Sequence, residues 1–193
     1  MPRIEPLLPP YTPEQEARIG AHMRKGATVP PLAIFRTFAR HPALQEALQS
    51  LGRFHLADDP GKSASLPPRD REIVIDRVCA RCGCEYEWGV HVASFAKKVG
   101  LSPAQVTATV RGDADDPAWS ERDRLLIRLV DDLHDGASVS DGLWQALTAQ
   151  WSEMQLLELL ILAGWYHAVS YLANGVQMEL EPWAPRFPAR SDG

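Results

Sequence analysis

The sequence predicts an all-α protein, and three observations lead to this prediction. Apolar residues recur at helical spacing from end to end of the chain, whereas the apolar and polar alternation of strands is nearly absent. Residues that begin and end helices recur along the chain, with Ser or Thr before apolar segments and Gly after them. No internal repeat or low-complexity tract is present. We therefore expect a helical bundle built around a helical hairpin.

Length and composition indicate one globular domain. The chain has 193 residues, of which 45% are hydrophobic and 23% are charged. A formal net charge of -5 argues against a protein that binds nucleic acid by neutralising phosphates. The first ten residues lack the charged, apolar and small-residue order of a secretory signal, so we expect a cytoplasmic protein.

Three helices are predicted in the N-terminal part of the chain. Thr12 and Gln15 form a capping box, and Pro13 fits the first helical position. His41 and Pro42 divide the next apolar stretch in two, because proline disfavours the helical conformation of the residue before it. The predicted helices cover residues 13–24 (before Gly26), 32–40 and 42–57, and residues 58–65 form a polar loop.

A helical hairpin is predicted next. Pro67 and Pro68 fit the first turn of a helix that continues over residues 69–81, where the backbone N–H groups need no helical partner. Gly83 ends this helix, and a second helix runs from about Cys84 to Gly100. Because Gly83 allows the chain to turn back, the two helices are expected to face each other.

Serine residues mark the starts of four further helices, at Ser102, Ser120, Ser140 and Ser152. The last helix is expected to end near Gly175. Its apolar run contains Glu158, His167 and Ser170, which are unfavourable in the centre of a bilayer, so we predict a buried core helix and no membrane span. The predicted organisation is one all-α domain (1–193), with an N-terminal helical extension (1–60), a core (66–110), C-terminal helices (120–175) and an irregular tail (176–193) that packs across a neighbouring surface.

Four side chains of the hairpin form a candidate catalytic group. A helix that turns about 100° per residue places Cys84, Glu87 and His91 on one stripe at the edge of the apolar face. Glu72, on the preceding helix, is expected to face them. Partial burial raises the pKa of a carboxyl group and lowers that of an imidazole, so Glu and His can exchange protons near neutral pH.

The three cysteines of the chain lie within six residues of one another. Cys84 is the candidate reactive thiol, because the first turn of a helix favours the thiolate. Cys79 and Cys82 are interpreted as small buried residues, and their alternative role is that of redox partners. A zinc site formed by these cysteines and His91 has suitable ligand types, but the spacing does not match common zinc arrangements. We therefore predict no metal and no cofactor.

Other polar residues receive less specific interpretations. Tyr86, Trp88 and His167 are candidate pocket residues, and His167 is also interpreted as a core histidine. The carboxylates and His134 near the end of the Ser120 helix are expected to form a solvated helix end without chemistry. Arg77 or Arg81 is a positional candidate for holding a substrate carboxylate.

The segment from Glu72 to His91, which includes Tyr86-Glu87-Trp88, resembles the core motif of the carboxymuconolactone decarboxylase and alkylhydroperoxidase D family. This resemblance implies an alkylhydroperoxidase D-like all-α fold, a homo-oligomer and a small-molecule substrate. In the alkylhydroperoxidase D branch the motif reads Glu-x11-Cys-x2-Cys-x3-His, and its two cysteines cycle between thiol and disulfide. This chain has Glu87 in place of the second cysteine.

The resemblance is therefore closer to the decarboxylase branch, which implies loss of carbon dioxide from a small carboxylated lactone without a cofactor. An enzyme that performs such a decarboxylation or a related proton transfer is the favoured interpretation. One alternative is a thiol-dependent peroxide reductase that uses Cys84, with Cys79 or Cys82 as its partner. The other alternative is a non-catalytic oligomeric binding protein that keeps the hairpin only for packing.

Overall fold

A computed structural model describes residues 1–21, 23, 30–56 and 64–189. In these ranges all regular secondary structure is helical, and no strand is present. The predicted all-α fold is therefore confirmed. The α-helices are α1 (Pro13–Gly20), α2 (Ala33–Phe38), α3 (Pro42–Leu56), α4 (Pro68–Arg81), α5 (Glu85–His91), α6 (Pro103–Arg111), α7 (Glu121–Gly136), α8 (Asp141–Thr148) and α9 (Glu153–Gly175), and a π-helical turn (Val92–Ala96) follows α5.

The described residues fall into two compact units. Unit 1 comprises those of Met1–Ala64 and Gly175–Glu181, and unit 2 those of Ser65–Asn174 and Pro182–Gly193. The single domain expected from the sequence stays a prediction.

Unit 1 contains α1, α2 and α3. The capping box of α1 is present, since Thr12 Oγ1 accepts a hydrogen bond from Gln15 N at 3.2 Å and Gln15 Oε1 accepts one from Thr12 N at 3.0 Å. The helix ends at Gly20, earlier than predicted, and the predicted end near Arg24 and Gly26 lies outside the described residues. The division at Pro42 is confirmed, and most of the predicted loop over residues 58–65 also lies outside the described residues.

Unit 2 is built around α4, which contacts α5, α6 and α7. The middle of α4 is buried throughout, and Ile73, Val74 and Ile75 have no exposed surface. Arg77 joins three of these helices: its guanidinium binds both oxygens of Asp131 on α7 at 2.8 Å and donates to the carbonyl oxygen of Thr109 on α6 at 3.1 Å. Because its N–H groups are used in these contacts, Arg77 is a structural residue and not the predicted carboxylate anchor.

The hairpin turn between α4 and α5 follows the prediction. Gly83 has a φ of 61°, a left-handed conformation that glycine adopts without steric cost. Cys84 N donates to the carbonyl oxygen of Cys79 at 2.8 Å and closes the turn. Cys84 occupies the N-cap position of α5, so it lies just before the first helical turn.

The second hairpin helix differs from the prediction in one respect. The sequence indicates a continuous helix to Gly100, whereas α5 passes into a π-helical turn directly after His91. In a π-helical turn each N–H group bonds to the carbonyl group five residues earlier, which places one extra residue in the turn. No glycine or proline lies between Val92 and Ala96, so no common helix-breaking residue indicates the change.

The capping residues of the later helices were predicted with varying success. Ser102 and Ser120 form capping boxes at the starts of α6 and α7, whereas the Ser140 side chain makes no capping bond to α8. Ser152 Oγ accepts a hydrogen bond from Gln155 N at 3.3 Å where α9 begins. Helix α7 continues to Gly136, two residues beyond the predicted end.

Helix α9 has two different faces. Its length and composition would allow it to cross a membrane, yet half of its apolar window is buried inside the protein, as in the core helix of a soluble protein. Glu158 on the buried face accepts hydrogen bonds from Ser65 N at 2.9 Å and Leu66 N at 3.1 Å. The opposite face exposes large apolar side chains, among them Leu157 and Ile161, so the predicted burial holds for one face only. The cytoplasmic location stays a prediction.

The C-terminal tail packs on α5, as predicted. Phe187 N donates to Glu85 Oε1 at 2.6 Å, and the Phe187 ring packs on the Trp88 ring at a centroid distance of 5.2 Å. The tail approaches Gly89 so closely that a Cβ atom there would lie 2.5 Å from the carbonyl oxygen of Pro185. Only glycine leaves enough space for the tail at this position.

Candidate functional site

The hairpin brings Glu72 of α4 and His91 of α5 together in the interior of unit 2. Glu72 has no exposed surface and His91 is 3% exposed. Glu72 Oε2 lies 2.7 Å from His91 Nδ1, which is the distance of a strong, charge-assisted hydrogen bond. The predicted approach of Glu72 to His91 is thus present in the structure.

Glu87 lies one helical turn before His91, on its other side. Glu87 Oε1 lies 3.5 Å from His91 Nε2, which is longer than an ordinary hydrogen bond. The second oxygen, Oε2, is buried and has no hydrogen-bond partner among the residues that the structure describes. The Nε2 end of the imidazole is therefore the more weakly held end, and it can engage another acceptor.

The two carboxylates set the charge of His91. Burial alone lowers the pKa of this imidazole, but the negative charges and hydrogen bonds of Glu72 and Glu87 outweigh burial and raise the pKa to about 10. His91 is therefore an imidazolium at neutral pH. The expectation that burial lowers the pKa of the imidazole is wrong for His91, because it considered burial without the charges of the two carboxylates.

Three further side chains complete the surroundings of His91, and the sequence did not indicate them. The Tyr166 ring of α9 stands edge-on to the His91 ring at 5.0 Å, and Arg71 Nε lies 3.4 Å from Glu72 Oε1. Asp76 lies one helical turn after Glu72 and is 1% exposed. Its four-residue spacing from Glu72 could have identified it, whereas no local pattern points to Tyr166.

Asp76 and Tyr166 hold their protons more tightly than usual. Burial, together with the charge of Glu72, raises the pKa of Asp76 well above its ordinary value. Neither of its carboxyl oxygens has a hydrogen-bond partner in the described part of the chain. Burial and the charges of Glu87 and Glu72 also raise the pKa of Tyr166.

The cysteines are more protected than the sequence indicates. Cys79 and Cys84 are buried, Cys82 is half-buried, and all three are free thiols. Burial raises the pKa of Cys84 to about 11, and it also raises the pKa of Cys79 and of Cys82. The Ser170 hydroxyl of α9, next to the three thiols, counters this rise in part. The expected thiolate at Cys84 is wrong, because loss of solvation outweighs the effect of the helix start.

The predicted pocket residues lie in different surroundings. Tyr86 and Trp88 are buried, and Trp88 Nε1 donates to Thr109 Oγ1 at 3.0 Å, which is a packing role. His167 lines a cavity of about 200 Å³ together with His134. Arg81 pairs with Asp135 and lies 3.7 Å from Asp131, so it is engaged at the end of α7. Arg71, and not Arg77 or Arg81, is the arginine next to Glu72.

Comparisons with known proteins support the fold and the motif. A search of curated proteins finds no match. A crystal structure of an uncharacterized peroxidase-related protein from Silicibacter sp. TM1040 is similar with a TM-score of 0.75 and 15% identity, over 96% of each chain. A protein of unknown function from Agrobacterium tumefaciens, described as a candidate AhpD antioxidant defence protein, is similar with a TM-score of 0.66 and 18% identity, over 75% of this chain and 94% of that one.

These two structures share the fold of this chain, and their identities are too low to carry more than the fold. The family comparison is more specific. Residues 42–129, which include the whole Glu72 to His91 motif, match the model of the carboxymuconolactone decarboxylase family. Over this segment, which carries the predicted motif, the chain is therefore similar to the carboxymuconolactone decarboxylase family.

Proposed function

We propose that this protein is an enzyme that transfers a proton to a small organic acid or lactone without a cofactor, and that its reaction is a decarboxylation. The observation that carries the proposal is the buried imidazolium of His91 between Glu72 and Glu87. A buried cationic acid next to a weakly bound N–H end is suited to donate a proton to a carbanion. The match of residues 42–129 to the carboxymuconolactone decarboxylase family model supports this reaction class.

The proposed reaction has two steps. The bond between the substrate and its carboxylate breaks, carbon dioxide leaves, and the electron pair stays on the substrate as a dienolate. His91 Nε2–H then donates its proton to a carbon atom of the dienolate, and His91 becomes neutral until it regains a proton from water. Glu72 holds Nδ1 at 2.7 Å throughout and so keeps the ring oriented. Its negative charge stabilises the imidazolium and restores it after each turnover.

The charges of the site suit a small anionic substrate. Glu72 and Glu87 each contribute one negative charge, and His91 and Arg71 each contribute one positive charge, so these four groups are neutral together. A substrate carboxylate therefore meets no net repulsion from these residues, and the imidazolium attracts the negative charge that develops as carbon dioxide leaves.

The first test compares two variants of similar size to the wild type. His91→Gln removes the acidic proton, and we expect turnover to fall by at least about 100-fold, the usual contribution of a general acid. Cys84→Ser is the matched control, and it should retain most of the activity. Carbon dioxide release from a panel of small carboxylated lactones is the measurement. The proposal that His91 is the acid would be rejected by an equal loss of turnover in both variants. Full activity of His91→Gln with any accepted substrate would also reject it.

A second candidate function is thiol-dependent reduction of a peroxide. It is supported by the three neighbouring thiols and by the peroxidase-related and antioxidant descriptions of the two similar structures. The Cys84 thiolate would attack the peroxide, break its O–O bond and become a sulfenic acid. Cys79 or Cys82 would then form a disulfide with release of water, and an external thiol would reduce it. The raised pKa of Cys84 weighs against this function at neutral pH.

Titration with peroxide distinguishes the two candidates. We expect all three thiols to survive one equivalent of hydrogen peroxide at neutral pH, because the thiolate fraction of Cys84 is small. Free thiols are counted with a chromogenic disulfide reagent after unfolding, with Cys84→Ser as the control. Loss of two thiols per peroxide in the wild type alone would replace the decarboxylase proposal with the peroxidase one. Binding of small acids without turnover in either assay would favour the non-catalytic alternative.

We also propose that the chain forms a homo-oligomer through α9. The exposed face of this helix carries an apolar stripe whose members are spaced alternately three and four residues apart, as in paired helices. The stripe consists of Met154, Leu157, Ile161, Gly164, Ala168 and Tyr171. Its large side chains are between 55% and 69% exposed. A second copy of the same helix is the partner that offers a matching stripe, and the net charge of -5 makes nucleic acid an unsuitable one.

A further inference from the structure

Cys82, His134 and His167 converge although they are far apart in the sequence. Cys82 is the C-cap of α4, His134 lies in the last turn of α7, and His167 lies in α9. Each side chain offers one ligand atom, and these three atoms all lie within 4.8 Å of one another. The sulfur of cysteine and the imidazole nitrogen of histidine are the protein ligands that zinc prefers.

Contacts within the cluster and from its neighbours hold these residues together. The His134 and His167 rings stack at a centroid distance of 5.3 Å with an angle of 9° between their planes. The Tyr171 ring packs on His167 at 4.6 Å, and Asn174 Nδ2 donates to the carbonyl oxygen of Cys82 at 2.8 Å. These contacts keep the three candidate ligands next to one another.

One histidine nitrogen in the cluster is buried without a partner. His134 Nδ1 has no hydrogen-bond partner among the described residues, although a buried polar atom usually has one. An unpartnered imidazole nitrogen can offer its lone pair to a metal ion. Arg81 is engaged in ion pairs with Asp131 and Asp135.

A cavity adjoins the two histidines. It has a volume of about 200 Å³, and His134 and His167 form part of its lining. The rest of the lining is apolar and comes from helices α4, α7 and α9. It includes Val78, Val130 and Leu160. Three protein ligands leave one position of a tetrahedral ion open, as in catalytic zinc sites. A water molecule or a small ligand in the cavity can occupy that position.

We propose that Cys82, His134 and His167 bind one zinc ion, with a fourth position open to the adjoining cavity. Bonds of about 2.0 to 2.3 Å place the ligand atoms of tetrahedral zinc roughly 3.3 to 3.8 Å apart. The present separations of up to 4.8 Å therefore need to close by about 1 Å. The site uses none of the side chains of the Glu72, Glu87 and His91 cluster, so this inference does not rest on the proposed function.

Zinc binding would also change the chemistry of Cys82. A zinc-bound cysteine is a thiolate, so the ion displaces the thiol proton. The bound sulfur is then unavailable as the redox partner of Cys84. The zinc site considered from the sequence combined the three cysteines with His91, whereas the structure places Cys82 next to His134 and His167.

The test measures zinc affinity directly. Reduced, metal-free protein is titrated with zinc chloride in competition with a chromogenic chelator. We expect one equivalent to bind to the wild type, and His134→Ala and His167→Ala each to weaken binding by at least about 10-fold, the lower range for disturbed metal sites. Cys84→Ser and His91→Gln are the controls, and both should bind zinc as the wild type does. Circular dichroism checks that every variant is folded.

Cobalt binding to the wild type gives a readout that does not depend on variant folding. Co²⁺ bound by a cysteine thiolate has an intense charge-transfer absorption in the near ultraviolet. We expect this absorption in the wild type and in Cys84→Ser, and its loss in Cys82→Ser. Absence of the cobalt absorption in the wild type would overturn the proposal. So would unchanged zinc affinity in a folded variant that lacks both His134 and His167.

Discussion

His91 shows how neighbouring residues decide the chemistry of a buried group. Burial alone would leave the ring neutral, but Glu72 at 2.7 Å and Glu87 at 3.5 Å reverse this and keep it protonated. For Cys84, a few residues earlier, burial is the largest influence on the pKa and raises it to about 11, so the thiol stays protonated. Two residues of one motif therefore differ in acidity because of their immediate partners.

The stability of the protein should depend on the charge of His91. The pKa of His91 is raised from 6.5 to about 10 by folding, so the folded state binds this proton more tightly than the unfolded state. The resulting stabilisation is complete below pH 6.5 and is lost as the pH rises to about 10. We expect the midpoint of urea unfolding to decrease over this pH interval more steeply in the wild type than in His91→Gln.

Glu72→Gln provides the matching control. The amide keeps the size of the side chain and removes its charge, so the pKa of His91 should fall. Nuclear magnetic resonance of the His91 ring measures the pKa in both proteins. Parallel unfolding curves in the wild type and in His91→Gln, or an unchanged His91 titration in Glu72→Gln, would contradict the assigned coupling.

At the scale of elements, α5 is fixed on two sides. Its His91 side faces Glu72 of α4, and its Gly89 side is covered by the C-terminal tail. Glu85 accepts a hydrogen bond from Phe187 N and thereby anchors the tail close to the start of the helix. The tail therefore contributes to the position of the helix that carries Glu87 and His91.

Gly89→Ala should destabilise this contact. The added Cβ atom would lie 2.5 Å from Pro185 O and 3.2 Å from Ala184 Cβ, so the tail has to move. We expect the free energy of unfolding to decrease by about 1 to 3 kcal/mol, as for other overpacked sites. Thermal unfolding and limited proteolysis after Arg186 are the measurements.

Gly142→Ala in α8 is the matched control, because nothing lies within 4 Å of a Cβ atom at that position. It should leave the thermal stability unchanged or raise it slightly, since alanine favours a helix more than glycine does. If Gly89→Ala behaves like this control and the tail keeps its resistance to protease, the close packing of the tail is not important in solution.

The helix starts could be predicted from the sequence because capping is a local property. Thr12, Ser102 and Ser120 each lie three residues before the side chain that completes the capping box. Cys84 shows the limit of local patterns, since its burial depends on helices that pack from elsewhere. Tyr166 and the cluster of Cys82 with the two histidines were missed for the same reason: only the packing of α4, α7 and α9 brings them together.

At the scale of the whole molecule, the exposed apolar face of α9 is the proposed contact between copies of the chain. The apolar residues of α9 predicted a buried helix. Apolar content alone, however, does not distinguish a helix face that packs inside the chain from a helix face that is exposed. The spacing of Leu157 and Ile161 within the stripe indicates pairing with another helix.

Replacing Leu157 and Ile161 together with lysine should therefore reduce the oligomer to smaller species. Two charges in an apolar contact carry a desolvation cost that the interface cannot offset. The molar mass in solution is measured by light scattering after size-exclusion chromatography. Leu44→Lys, at an exposed leucine of α3, is the control and should keep the mass of the wild type. An unchanged mass in the double variant would exclude α9 as the interface.

The π-helical turn after His91 has a consequence for the length of this segment. Because the turn holds one residue more than a regular helical turn, deleting one residue between Val92 and Ala96 would leave the chain long enough for an unbroken helix. Because the deleted residue would be the extra one of the turn, the helix after the deletion would keep its orientation relative to His91. Lys97 and Lys98 would then stay exposed, and Glu87 and His91 would keep their spacing. The turn can thus absorb the loss of one residue without a change in the position of Glu87 and His91.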